Sequence, residues 1–134
     1  MFEYQITVRG YELDSYGHVN HAVYLNYMEQ ARWEIIREAG LLDQLIREGK
    51  KLVVIKADVR YISEIKLFDK IIIHTKVKKE APYLVFYQKL FNQNGSIRVA
   101  RAVIKAILLD EQKKPLDIPD DMVNLIANKQ EGNG

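Results

Sequence analysis

Phe2, Tyr4, Ile6 and Val8 alternate with Glu3, Gln5, Thr7 and Arg9, the period-two signature of a strand with one buried face. The pattern predicts a first strand that ends near Glu12. Turn formers and polar residues then mix from Asp14 to His21, after which the spacing becomes helical. Tyr24, Met28, Ala31 and Ile35 fall on one line, with Leu25, Arg32, Ile36 and Ala39 beside it. Gly40 follows as a C-cap, and Asn20 stands where a side chain can accept from an unpaired N–H at a helix start. Leu41 to Lys50 reads as a short second helix or a loop. Beyond it, β-branched and aromatic residues predict four strands, roughly Leu52 to Ile62, Lys70 to Lys79, Leu84 to Asn92 and Ile97 to Leu109. Asn94-Gly95 tolerates the positive φ of a tight hairpin, which makes strands four and five antiparallel neighbours. Pro82 interrupts the chain between strands three and four, and Lys113-Lys114-Pro115 closes the fifth. Asp120 to Asn128 reads as a terminal helix, and Lys129 to Gly134 as a frayed tail.

These elements define an α+β domain over residues 1–128, with a five-stranded antiparallel sheet and one long helix. A chain of 134 residues can build one real core, and there is no repeat, linker or low-complexity tract. One helix covers only one face of such a sheet. Strongly twisted strands wrapping around the helix, together with burial between copies, would shelter the rest, so a homodimer or larger homo-oligomer is expected.

Composition narrows the chemistry. Twenty Lys and Arg against 18 Asp and Glu give a net charge of +2, a balance that argues against nucleic acid as a partner. Cysteine is absent, which removes thiol nucleophiles, disulfides and every cysteine-based zinc site. Met1-Phe2-Glu3-Tyr4-Gln5 lacks the basic and apolar regions of a secretory signal, and no apolar run approaches a membrane span. A cytoplasmic protein without a membrane partner is the expectation. There is no Gly-x-Ser-x-Gly elbow around Ser96 or elsewhere, no phosphate loop and no dinucleotide fingerprint.

Tyr11 to Leu25 gathers an acid, two histidines and a glycine just before the long helix. The first backbone N–H groups of a helix lack intrahelical partners and carry partial positive charge, so they can hold a developing oxyanion. Asp14 beside them suits a base or nucleophile, although aspartate is equally common in turns for its backbone hydrogen bonds. His18 and His21 lack a third ligand once Asp14 serves as base, which disfavours a metal site. His74 alternates with Lys76 and Lys78 on a polar strand face, and is expected at the surface. Tyr24 sits at core spacing. Glu29 lies three residues before Arg32, close enough for an ion pair.

The run Asp14-Ser15-Tyr16-Gly17-His18-Val19-Asn20-His21, followed by Tyr24-Leu25 and Glu29-Gln30-Ala31-Arg32, resembles the hotdog-fold thioesterases of the 4-hydroxybenzoyl-CoA thioesterase type. It is also similar to the single-hotdog acyl-ACP thioesterases. The resemblance implies a sheet wrapped around the central helix, and dimers or tetramers with active sites at subunit interfaces. It implies hydrolysis of an acyl-CoA or acyl carrier protein thioester without cofactor or metal. Asp14 falls on the catalytic aspartate and His21 on the backbone donor to the thioester carbonyl. Tyr16, Gly17, His18, Asn20 and Tyr24 then become loop and substrate contacts, and Glu29 a water-orienting or tethering group. Arg60, Tyr61 and Ser63 end a strand expected to approach the site across the dimer interface, with Ser63 a further candidate. Where some members place basic residues for CoA phosphates after the third strand, this chain has Ala81-Pro82-Tyr83, preceded by Lys78 and Lys79. A hotdog hydratase or dehydratase using His18 as base, and a non-catalytic acyl-thioester binding module, are the alternatives.

Overall fold

The computed structural model describes residues 2–92 and 97–132, with side chains in the last helix described through Ala127. Strand β1 (Phe2–Thr7) leads through a 3-10 turn (Gly10–Glu12) and a loop into helix α1 (His21–Glu38). Helix α2 (Leu41–Arg47) precedes the long strands β2 (Lys51–Tyr61), β3 (Lys70–Glu80), β4 (Tyr83–Asn92) and β5 (Ile97–Leu109). A two-residue strand β6 (Pro115–Leu116) and helix α3 (Asp120–Gly132) follow.

The main sheet runs β1-β3-β4-β5-β2, every neighbouring pair antiparallel, with β6 added beside β5. Asn92 pairs with Ile97 as a hairpin requires, while the predicted Asn94-Gly95 turn lies outside the described residues. One sheet face presents Ile71, Ile73, Leu84, Phe86, Leu90, Ala102, Ile104 and Leu108 to α1, whose Met28, Ala31 and Ile35 are fully buried against them. Small Ala100, Ala102 and Ala106 on β5 are buried on this same face. Helix α3 adds Met122 and Ile126 at the β1–β3 end, next to Ile118. The opposite sheet face carries no helix among the described residues.

The structure moves some of the expected boundaries and decides one segment left open. Strand β1 stops at Thr7 rather than near Glu12, because the chain folds into the 3-10 turn, where the Arg9 N–H donates to Glu12 Oε1 at 2.7 Å. Leu41 to Arg47 is a helix, entered from Gly40 at φ +74° and anchored by buried Leu41 and Leu45. Lys113-Lys114-Pro115 closes β5 by way of a turn and then opens β6, with Asp110 Oδ1 accepting from the Gln112 and Lys114 N–H groups at 2.8 and 2.9 Å.

Glu12 is only 7 % exposed. Its Oε1 also accepts from the Tyr27 hydroxyl at 2.7 Å, and its main-chain oxygen takes the Asn20 N–H at 3.0 Å. Burial and the Glu12 carboxylate together push the Tyr27 hydroxyl far above its ordinary value. A hydrogen bond to a charged acceptor contributes about 1.5–3 kcal/mol. Tyr27→Phe is therefore expected to lower unfolding free energy by about that amount, read as a shifted urea midpoint at unchanged m-value.

Candidate active site

The segment between the 3-10 turn and α1 is a closed loop. Leu13 bridges Val19, the Asp14 N–H donates to the His18 carbonyl at 2.7 Å, and the Gly17 N–H donates to the Asp14 carbonyl at 3.1 Å. Gly17 makes this reversal at φ +79°, where an L side chain would be strained. The loop is sewn to the segment after β2 by the His18–Lys66 bridge and by the Val19 N–H to the Ile65 carbonyl at 2.8 Å.

Within it, Asp14 Oδ1 accepts from the Tyr16 N–H at 2.9 Å and the His18 N–H at 3.3 Å. Asp14 is thus an Asx-turn residue by geometry, and the two amides fix its carboxylate while leaving it partly exposed. Asn20 caps α1 as predicted, its Oδ1 accepting from the Ala22 N–H at 2.9 Å; its carbonyl takes the Val23 N–H at 2.9 Å. The His21 N–H is left without a protein acceptor among the described residues. One helix-start amide therefore stays open beside a loop that holds an oriented carboxylate.

The other candidates separate into distinct roles. His18 Nε2 lies 2.8 Å from Glu64 Oε2. Tyr16 projects into solvent, 84 % exposed. Ser63 acts through its backbone, its carbonyl accepting from the Tyr24 hydroxyl at 3.2 Å and its N–H donating to the Val99 carbonyl at 3.2 Å. Glu29 is exposed and accepts from Trp33 Nε1 at 3.2 Å. The expected Glu29–Arg32 ion pair does not form; Arg32 Nη1 reaches across the core to Gln88 Oε1 at 3.0 Å. Gln88 in turn donates to the Met28 carbonyl at 3.0 Å and to Thr75 Oγ1 at 3.1 Å, so the helix and sheet are bolted together by a buried polar chain. Desolvation lowers the Arg32 pKa, and Glu29 opposes that shift. His74 is only partly exposed and bonds Glu3 directly across from it at 3.0 Å. Among the described residues no three His, Asp or Glu side chains converge as ligands.

One participant escaped the sequence reading. Glu64 lies beyond the end of β2, with no signal of its own until residues 18 and 66 are known to pair. Tyr61 reaches the site of its own chain: its hydroxyl donates to the His21 carbonyl at 3.1 Å, and its ring lies edge-on to Tyr24 at 5.0 Å. Beginning at Leu25, one turn into α1, an apolar groove of about 650 Å³ runs between helix and β2. Glu29, Trp33, Ile36, Leu52, Val54 and Phe86 help to line it.

A long central helix clasped by an antiparallel sheet, with the loop before that helix holding an acid at its N-terminus, is the architecture of the hotdog-fold thioesterases. The model of the thioesterase-like superfamily matches residues 8–126, and the chain belongs to that family. It is 30 % identical over 125 residues to the acyl-acyl carrier protein thioesterase ATL3 of Arabidopsis thaliana, covering 90 % of this chain and 64 % of that protein. The chain thus spans less than two thirds of that relative's length. An acyl-CoA thioester hydrolase, YbgC of Escherichia coli, is 29 % identical over 126 residues, 92 % of this chain and 93 % of its own. The crystal structure of Escherichia coli YbaW, a probable thioesterase, superposes with a TM-score of 0.85 at 26 % identity, covering 97 % and 98 % of the two chains. No helix in the described residues is long and apolar enough to cross a membrane.

The site leaves a signature in alkaline stability. Burial, reinforced by Tyr61, Glu64 and Asp14, pushes the Tyr24 hydroxyl up to about 12. Unfolded tyrosine loses its proton near pH 10, so between about pH 10 and 12 the unfolded chain binds fewer protons and stability falls as pH rises. The contribution is intact below that window. Tyr24→Phe is expected to reduce the loss in urea midpoint between about pH 9 and 11, compared with the wild-type protein.

Proposed function

We propose that the protein is a homo-oligomeric acyl thioesterase, hydrolysing an acyl-CoA or acyl carrier protein thioester to free acid and thiol. The observation that supports this reading is an open His21 N–H at the start of α1, reached from the loop in which the Asp14 carboxylate is held by two amides. Asp14 acts as the base that takes a proton from water, or itself attacks the thioester carbon. In either course the carbonyl oxygen gains charge and accepts from the His21 N–H. The C–S bond then breaks and the thiolate takes up a proton, which on the base course is the one Asp14 took from water. On the covalent course water then hydrolyses the acyl–Asp14 anhydride, freeing the acid and restoring the carboxylate. Gly17 and Asn20 shape the loop, and His18 is held by Glu64. No metal or cofactor takes part, and the site works in the cytoplasm.

The acyl group lies along the groove between α1 and β2. Strand β2 is a sheet edge, exposed along almost its whole length, with Val54 and Ile55 45 % and 48 % exposed. A long apolar edge of this kind favours pairing with another strand. Antiparallel pairing of β2 with its copy would close the groove, since Leu25, Trp33, Val53 and Val54 line its open side.

The His18–Glu64 pair is the one feature that favours a second reading, a hydratase or dehydratase with His18 as base on an enoyl or 3-hydroxyacyl thioester. That activity would change enoyl absorbance without releasing thiol.

Asp14→Asn is the decisive substitution. Asparagine keeps an Oδ1 acceptor for the Tyr16 and His18 amides, so loop and oligomer should persist. Turnover is expected to fall by about 10² to 10⁴. Thiol release from acyl-CoA and acyl carrier protein substrates, followed with a thiol-reactive dye, reads this directly, because the chain has no cysteine. Near-wild-type release by the variant would remove Asp14 from the chemistry.

A further inference from the structure

The sheet face turned away from α1 is unevenly charged. Register places Lys89 directly opposite Arg101, and Arg101 directly opposite Arg60, across β4, β5 and β2. All three side chains are exposed, and among the described residues none has a carboxylate within ion-pair distance. Lys76 and Lys105 extend the positive field on the same face. Against them stand Asp58, which lines the same open recess, and two acids with partners of their own: Glu3 bonded to His74, and Glu80 bonded to the Tyr87 hydroxyl. Like charges directly opposite one another destabilise a sheet. Two consecutive like-charged pairs in a chain of net charge only +2 form a concentrated positive field at one place.

That place adjoins the candidate site. Arg60 points outward from β2, while the next residue, Tyr61, points inward and bonds the His21 carbonyl. A small recess at this end of the sheet is lined by Arg60, Tyr61, Ile62, Arg98 and Arg101. Anything held on the row is one residue away from a group touching the helix start.

We propose that this row is the docking surface for an acidic, helical carrier protein that presents the acyl thioester. The inference rests on the thioesterase reading above and chooses between its two carriers. Adjacent strands are about 4.8 Å apart and successive helical turns rise about 5.4 Å. Carboxylates on successive turns of a helix laid across the strands therefore meet Lys89, Arg101 and Arg60 nearly in step. The open sheet surface offers no closed wall for a nucleotide. A second copy of the chain fits poorly too, because a two-fold contact through this row would set cations against cations.

The test compares the wild-type protein with the double variant Lys89→Gln/Arg101→Gln, on a decanoyl-loaded acyl carrier protein and on decanoyl-CoA. The variant is expected to raise KM for the carrier substrate by about tenfold or more, leaving kcat and decanoyl-CoA hydrolysis within about twofold. Salt should weaken the wild-type advantage. The melting temperature should hold or rise, because like-charge opposition is relieved, which separates docking from a folding defect. Anisotropy of a labelled apo carrier protein reads docking without turnover. Binding lost in the variant supports the surface even if neither thioester is hydrolysed, a result that would defeat only the thioesterase reading. Absent or unchanged carrier binding overturns the proposal. So do equal losses on both substrates, which would mark a CoA nucleotide site, and a change of oligomeric mass in the variant, which would mark a self-interface.

Discussion

Glu12 places a carboxylate under the chain where it turns from β1 toward α1. One of its oxygens takes both the Arg9 amide and the Tyr27 hydroxyl, while its carbonyl takes the Asn20 amide. Those partners belong to the segment before the loop, to the second turn of the helix and to the helix cap. The loop carrying Asp14 is therefore fixed at both ends to one buried group. A charge in a core is costly unless it is fully bonded, and removing a partner exposes that cost at once. Such a group is weak evidence for added stability, but it specifies one path for the loop that carries Asp14 and leads into α1.

The second fixed relationship is between helix and sheet. Arg32, Gln88, Thr75 and the Met28 carbonyl form a polar chain through an otherwise apolar interface. Apolar side chains alone tolerate sliding, whereas directional bonds penalise it. The chain therefore sets the register of α1 against β3 and β4. It also decides which helix residues, Leu25, Glu29 and Trp33, border the groove.

Much of this was legible in the sequence. Helical spacing from Tyr24 to Ile36 and the alternation in four later segments placed the long helix and the sheet, because burial on one face imposes a period whatever the detail. The motif from Asp14 to His21 located the loop, and Asn20 proved to be the cap. What escaped depends on partners distant in sequence. Nothing local distinguishes Glu12 from another surface acid, or shows that Arg32 prefers Gln88, 56 residues away, to Glu29 three residues away. His18 and Glu64 are likewise 46 positions apart and meet only through strand pairing. Periodicity overextends the first strand because the turn after Val8 is held by the Glu12 side chain, which it does not detect.

Net charge is silent on the cationic row for a related reason. A total of +2 is a scalar, while a partner meets a spatial distribution. Strand alternation sorts residues by parity, so Arg60, Lys89 and Arg101 reach one face while Tyr61, Gln88 and Ala102 reach the other. Glu29, Glu34 and Glu38 belong to α1, on the opposite side of the sheet. The same parity that buries the core thus separates the charges, with β2 lying where both arrangements meet. Its inward Tyr61 touches the helix start and its outward Arg60 joins the cationic row. That strand end thereby joins the helix start to the charged face, while the other end of β2, Lys51 to Val54, lines the groove. A one-residue slip of β2 would exchange Arg60 and Tyr61 between faces and break the first of these links.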